Sequence, residues 1–274
     1  MKKIPQDIVG DIAILKFKRR TPWLIKKLKA IKFLKDHKTL KTVVEKTHGF
    51  SGKLRTLTTK HLAGIKTKQT TYRENGCTFK FNIDKSYFSP RLSNERKVIA
   101  DEVIRLSKTN SKIGSAPTNN KNKSVRVLVM FAGISPYPIV IARKFKLAKK
   151  KATIISNELN KNANKESERN ITLNKLQNYI TLANGDAKKL AEKLKGKFDI
   201  ILMTRPNLKD TFLKTALKLS KKGTTIFYHG FGTKEEVLKE IKRDTNGKIG
   251  KIEIRKAGDI GLKKWRWQAQ FKVK

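Results

Sequence analysis

One stretch limits the fold more than any other: Val125–Pro138, VRVLVMFAGISPYP. Its first half is apolar and rich in β-branched residues, as a strand buried on both faces must be. The run breaks just after Phe131, at Ala132-Gly133, and a second apolar segment, Ile139-Val140-Ile141-Ala142, continues with helical character. Strand, small-residue turn and helix make the first unit of a doubly wound α/β sheet, which receives ligands at the carboxyl edge of its strands. Glycine at 133 lets the backbone approach such a ligand with no Cβ between them. The turn matches neither the dinucleotide-binding glycine pattern nor the P-loop, which disfavours both a dinucleotide and a triphosphate.

Later strands extend that edge. Ala152–Ser156 reads as a second strand ending in Asn157-Glu158-Leu159-Asn160, followed by a helix over Lys161–Leu173. Tyr179–Ala183 reads as a third strand closed by Asn184-Gly185-Asp186, and Asp199–Thr204 as a fourth closed by Arg205-Pro206-Asn207. An acid at the end of the second strand is placed to grip a ribose. An aspartate at the third is placed to accept from an adenine amino group. Either acid alone is more often a cap or turn residue; Gly133, Glu158 and Asp186 in sequence are harder to dismiss. A nucleoside without a pyrophosphate, such as S-adenosylmethionine, suits the three together. A helix over Lys209–Leu219, a strand over Thr224–Tyr228, a capping box from Thr233 to Glu236 opening a helix to about Arg243, and strands over Ile249–Arg255 and Trp265–Val273 complete the half.

The preceding half reads differently. A strand is expected over Ile8–Lys18, then a helix capped at Thr21-Pro22, with Leu24, Leu28, Ile31 and Leu34 at helical spacing toward the core and lysines on the other side. Val43-Val44 resume a strand. Asn75-Gly76 marks a hairpin tip before CTFKFNI. Tyr87–Leu92 lead into a helix over Lys97–Leu106, where Glu95 reads from the pattern as an ordinary first-turn glutamate facing the helix dipole. Ser107–Ser124 is polar and rich in Ser, Asn and Lys, as a linker is. The expected organisation is a smaller α+β domain over 1–112, a linker over 113–124, and a Rossmann-like domain over 125–274 with a seven-stranded, mostly parallel sheet.

Charge narrows the partner. There are 65 Lys and Arg against 22 Asp and Glu, a net charge of +43, without the matching glutamate of a heat-adapted surface. Such a surplus favours a polyanion, bound through phosphate contacts and counterion release. A single cysteine, Cys77, excludes an internal disulfide and suits a reducing cytoplasm, and four scattered histidines give no metal-ligand spacing. No apolar run reaches the about 18 residues of a membrane span, and the N-terminus lacks a signal-peptide core.

Several strings resemble the archaeal and eukaryotic type of tRNA (guanine-N1)-methyltransferase, which modifies position 37 beside the anticodon. They are IVGDIAIL, TVVEKTHGFSGKLR, YRENGCTFKFNIDKSYFSPRLSNER, MFAGISPYPIVIA, NITLNKL and GTTIFYHGF, and they cover nearly the whole chain. The FSPRL-x-x-ER string is the most specific. The resemblance implies a class I fold, S-adenosyl-L-methionine as cofactor, and a tRNA anticodon stem-loop as partner of a cytoplasmic monomer. It implies that Glu95 is the base taking the guanine N1 proton and Arg55 the cation near O6. It places Tyr87, Arg91 and Arg96, with Thr204, Arg205 and Pro206, toward the substrate. It places Phe131, Ala132, Gly133, Glu158, Leu159, Gly185 and Asp186 toward the cofactor.

Three departures stand out. Val129 replaces an aspartate common before MFAG, and Thr204-Arg205-Pro206 replaces an Asn-Leu-Pro, which adds a cation where the family has a guanine-reading amide. The family's small leading domain, which checks the tRNA elbow, is expected to be missing, with looser dependence on whole-tRNA shape. The MFAGISPYP and Thr-Arg-Pro variants resemble an archaeal branch that also methylates carbon 7 of a tricyclic wyosine intermediate. Aminocarboxypropyl transfer, rRNA methylation and a non-catalytic RNA-binding module are the alternatives.

Overall fold

A computed structural model describes residues 4–52, 54, 56–109, 124–261 and 264–274. Strands β1 (Gln6–Val9) and β2 (Ile12–Leu15) form a hairpin, helix α1 (Trp23–Asp36) follows, and β3 (Thr42–Ser51) and β4 (Thr56–Gly64) complete a sheet in the order β1-β2-β3-β4. The single strand expected over 8–18 is two, because Gly10 reverses the chain with φ +60° and packs against the Thr71 carbonyl, where a Cβ has no room. Helix α1 lies where its spacing predicts, but another face is covered. Leu24, Leu28 and Ile31 are exposed, whereas Ala30 is buried and Phe33 and Leu34 pack on Ala13, Leu15 and Val43. Pro22, not Thr21, occupies the cap, with no side-chain bond.

Strands β5 (Gln69–Glu74) and β6 (Cys77–Asn82) form the hairpin expected at Asn75-Gly76, both of which have positive φ (+48° and +71°), as a type I′ turn needs. A short 3-10 turn over Pro90–Leu92 leads into α2 (Ser93–Thr109). Most of the expected linker, residues 110–123, lies outside the described residues.

The second half runs β7 (Val125–Met130), α3 (Pro136–Leu147), β8 (Ala152–Glu158), α4 (Lys161–Leu173), β9 (Ile180–Asn184), α5 (Leu190–Lys193), β10 (Phe198–Met203), α6 (Leu213–Lys218), β11 (Ser220–Gly232), α7 (Lys234–Thr245), β12 (Glu253–Gly261) and β13 (Lys264–Lys272). Its sheet is ordered β12-β13-β11-β10-β7-β8-β9, parallel from β11 to β9, with β13 and β12 antiparallel. The architecture is therefore the expected Rossmann-like α/β sheet preceded by a smaller α+β part. Helix α6 starts later than expected: Asp210 Oδ1 accepts the Phe212 N–H at 2.8 Å, and the left-handed Phe212 (φ +60°) interrupts the run. The capping box of α7 is complete, Thr233 and Glu236 each bonding the other's backbone N–H.

The two halves share one apolar core, in which Phe79, Phe81, Phe88, Ile99 and Val103 pack with Val127, Val129, Ile139 and Ile141. A polar seam reinforces the joint. Glu166 and Asn170 on α4 and Asn174 at its C-cap, four residues apart, accept the backbone N–H groups of Asn82, Lys80 and Thr78 at 2.7, 2.8 and 2.9 Å. Four helical residues rise about 6 Å and two strand residues about 6.6 Å, so the two repeats stay in step over three bonds.

Candidate active site

The carboxyl ends of β7 to β10 open onto a cavity of about 490 Å³, within the range of small-molecule sites. The turn after β7 is its floor. Phe131, Gly133 and Ser135 all have left-handed φ, +62°, +58° and +64°, so the backbone zigzags through a conformation that costs a non-glycine residue about 1–2 kcal/mol. A buried hydroxyl chain braces it: Ser135 bonds Ser156 at 2.8 Å and Ser167 at 2.9 Å, and Ser167 donates to the Gly133 carbonyl at 3.0 Å. A Cβ on Gly133 would stand 3.3 Å from the Tyr87 carbonyl, so the glycine is needed for both its φ and its clearance.

Glu158 is more committed than its strand-end position suggests. Oε2 accepts the Gly133 N–H, and Oε1 accepts those of Leu159 and Asn160, each at 2.8 Å. Oε1 is therefore fully used, and Oε2 keeps one lone pair for a ligand hydroxyl. Asp186 Oδ1 caps the short turn at Lys188 N, 2.9 Å, and its other oxygen has no protein donor among the described residues. Asn157, on the same wall, donates to the Ala183 and Gly185 carbonyls at 2.8 and 2.9 Å and fixes the loop that carries Asp186. Phe131, Ala132, Leu159 and Gly185 line this side too, and Phe131 meets Phe212 edge-on at 4.8 Å.

Across the cavity stand Tyr87, Leu92, Tyr137, Thr204, Pro206 and Arg266. Thr204 Oγ1 donates to the Met130 and Phe131 carbonyls, both at 3.0 Å, and so ties the ends of β10 and β7 together. The arginines expected here divide. Arg91 is exposed, pairs with Asp7 at 2.5 Å, and is not on the cavity wall. Arg96 reaches the wall, yet its guanidinium is buried against Glu74, the Ser89 carbonyl and the Phe88 ring, which makes it a strut between β5 and α2. Arg205 also turns inward. It donates to Tyr228 Oη at 2.8 Å, to Glu240 at 3.2 Å and to the Pro206 and Leu208 carbonyls. The extra cation expected beside the substrate is therefore consumed in holding the β10 loop to α7. Arg55 lies outside the described residues.

Glu95 sits one layer behind this wall. It is 5% exposed, accepts from Arg255 at 2.7 and 2.9 Å, and has His229 Nε2 at 3.4 Å, the outer limit of a hydrogen bond. Burial works to raise its pKa, but His229 and Arg255 outweigh that and hold the carboxyl below the usual range. Burial pushes the His229 ring down, toward the neutral form, against the upward pull of Glu95. Burial likewise raises the Tyr137 hydroxyl, so it stays protonated. Among the described residues no group of three or more His, Cys, Asp and Glu is arranged to hold a metal, and no helix is long and apolar enough to cross a membrane.

The sequence reading missed three residues that the geometry makes conspicuous: Asn157, Phe212 and Arg266. Asn157 had a signal, its place at a strand end beside Glu158; Phe212 and Arg266 reach the cavity only through long-range register.

Residues 70–253 match the model of the TRM5/TYW2 methyltransferase domain. The chain belongs to this methyltransferase family. Within it, the tRNA (guanine(37)-N(1))-methyltransferase Trm5b of Pyrococcus abyssi is 32% identical over 253 residues, 90% of this chain and 67% of that protein. Its crystal structure superposes with a TM-score of 0.77 over 98% of this chain and 74% of that one, at 28% identity. The tRNA (guanine(37)-N(1))/4-demethylwyosine(37)-methyltransferase Taw22 of Nanoarchaeum equitans is 33% identical over an alignment of 311 residues, 95% of this chain and 96% of that protein. The structure of aTrm5 with tRNALeu superposes with a TM-score of 0.80 at 24% identity, covering 99% of this chain and 72% of that one, a likeness of fold.

Proposed function

We propose that the chain transfers a methyl group from S-adenosylmethionine to N1 of the guanine at position 37 of tRNA. The observation that carries this is the two-sided cavity of a TRM5/TYW2 family member, with nucleoside-holding groups on β7–β9 and an aromatic, cationic wall on the other side. The cofactor side suits such a nucleoside: a left-handed glycine with no Cβ, an aspartate oxygen without a donor among the described residues, and one spare lone pair on Glu158 Oε2 for a ribose hydroxyl. When bound, the cofactor supplies an electrophilic methyl on a sulfonium. Phe131, Ala132, Leu159 and Gly185 enclose it. Tyr87, Thr204 and Pro206 border the base, and Arg91, Arg96 and Arg205 act through the scaffold.

Glu95 is the base that accepts the N1 proton, which requires its bonds to Arg255 to open toward the cavity. A carboxylate held ionised at neutral pH is in the correct state to receive that proton. Arg55 is the cation carried over by resemblance. The surplus of +43 provides affinity for the tRNA backbone, with the anticodon stem-loop as the part held by a monomer whose N-terminal unit spans 1–112 and whose cofactor-binding unit spans 125–274. The likeness to Taw22 along nearly its whole length favours a second activity on a wyosine intermediate.

Labelled S-adenosylmethionine with unmodified transcripts carrying G or A at position 37 tests the reading. N1-methylguanosine from the G transcript alone is expected. Label on neither transcript, with cofactor still bound, would overturn it in favour of a pre-modified base or aminocarboxypropyl transfer.

A further inference from the structure

Gln270, Gln268 and Arg266 alternate along β13 on the face turned toward α2, where Gln270 Nε2 donates to Glu102 at 3.0 Å. In the cross-sheet row of Gln268 stand His229 on β11 and Arg255 on β12, the two residues that meet Glu95. The next row toward the cavity holds Phe231, Arg266 and Gly258. Arg266 is 8% exposed, lies over the Phe231 ring at 5.1 Å, and lines the cavity. Among the described residues no carboxylate meets its guanidinium, and Gly258 brings no side chain to its row. Beside it, among the described residues, the Tyr137 hydroxyl is buried with no hydrogen-bond partner.

A buried cation without a counter-ion is costly, and buried polar groups are rarely left unpaired. Arg266 and Tyr137 both line the cavity, and together they describe a site completed by an incoming oxygen with negative character. The structure assigns Arg266, with the Tyr137 hydroxyl, as a further contact to the carbonyl oxygen of the methylated base, beside the Arg55 that the resemblance places there. This rests on the reading of the chain as a guanine N1-methyltransferase. As the N1–H bond breaks, the proton goes to Glu95 and the remaining electron pair is shared between N1 and the exocyclic oxygen. That pair then forms the N1–methyl bond while the methyl–sulfur bond's electrons return to sulfur. Arg266 exchanges no atom; its charge lies against the oxygen while the oxygen is most negative.

The other anion able to occupy this corner is the cofactor's carboxylate. Position favours the base: β13 lies two strands beyond β10, on the opposite side of the cavity from Gly133, Glu158 and Asp186.

The test compares wild type, R266Q and R266K with S-adenosylmethionine and the G-bearing transcript. It measures kcat across pH at saturating tRNA, and S-adenosylhomocysteine affinity by calorimetry. R266Q is expected to lose kcat on the order of 100-fold, with product-analogue affinity kept within about 2-fold. The pH at half-maximal kcat should move up, because without the cation the base gives up its proton less readily; a merely structural residue would not move it. Should R266Q fail to fold, R266K carries the test. A lower kcat at unchanged cofactor affinity supports the contact, because a point charge cannot replace the guanidinium fork, and an unchanged kcat overturns it. Weakened cofactor binding in either variant overturns it in favour of the carboxylate. No N1-methylguanosine from wild type would overturn the underlying reading, whereas a fully active R266Q overturns the role of Arg266 alone.

Discussion

Arg255 holds Glu95 through both carboxylate oxygens, at 2.7 and 2.9 Å, from a strand 160 residues further along the chain. Because this pair, together with His229, keeps the Glu95 pKa low, removing the guanidinium lets it rise. A base works in its deprotonated form, so a higher pKa delays activity to higher pH. In R255Q the acidic limb of kcat should therefore shift upward, measured between about pH 4 and 8. E95Q should lose methyl transfer by about 100-fold or more while S-adenosylhomocysteine affinity holds.

Stability should fall on mild acidification because of His229. Its folded pKa is lowered by burial, so below the unfolded value of about 6.5 the unfolded chain takes a proton that the folded one refuses. The unfolding free energy then drops as pH falls, with a slope approaching about 1.4 kcal/mol per pH unit. H229N should flatten this dependence in urea titrations between about pH 7.5 and 5.5. The low pKa of Glu95 acts elsewhere: its contribution is complete above the ordinary carboxylate value and disappears only as pH falls through the lower, folded one.

Arg205 should behave as a strut. R205M leaves the Glu240 carboxylate without its cation, with the Tyr228 hydroxyl still donating to it; because Glu240 also keeps partial contact with water, we expect a loss of about 2–3 kcal/mol in chemical denaturation. Removing the acid as well, in R205M/E240L, should recover a good part of it, the coupling being read from the double-mutant cycle.

Substituting Gly133 tests the floor of the cavity. G133A forces a left-handed backbone on a residue with a Cβ and presses that atom toward the Tyr87 carbonyl, for a cost of about 1–2 kcal/mol. Weaker binding of S-adenosylhomocysteine by calorimetry should accompany it, because the Glu158 carboxylate is anchored on the Gly133 N–H.

What was legible in the sequence was local. The strand, glycine turn and helix around Gly133, the acids Glu158 and Asp186 at later strand ends, the Asn75-Gly76 hairpin and the Thr233–Glu236 capping box depend on residues a few positions apart, and all lie where their patterns place them. Periodicity reports that a helix has an apolar face and not what covers it, so the exposure of Leu24, Leu28 and Ile31 could not be read. Arg205 and Arg266 show the same limit at the cavity. One was expected to face the substrate and turns into Glu240, and the other stands on the wall because of strand pairing with Phe231. Long side chains choose among partners that only the assembled sheet supplies.

The polar seam of α4 also governs what the hairpin does not do. β6 is the outer strand of a two-stranded ribbon, and a strand edge with open N–H groups invites a second chain to extend it. Glu166, Asn170 and Asn174 claim three of those donors, alternating along the edge. Their loss would leave the Thr78, Lys80 and Asn82 N–H groups open on that edge, so the seam guards a very basic protein against self-association through its own hairpin.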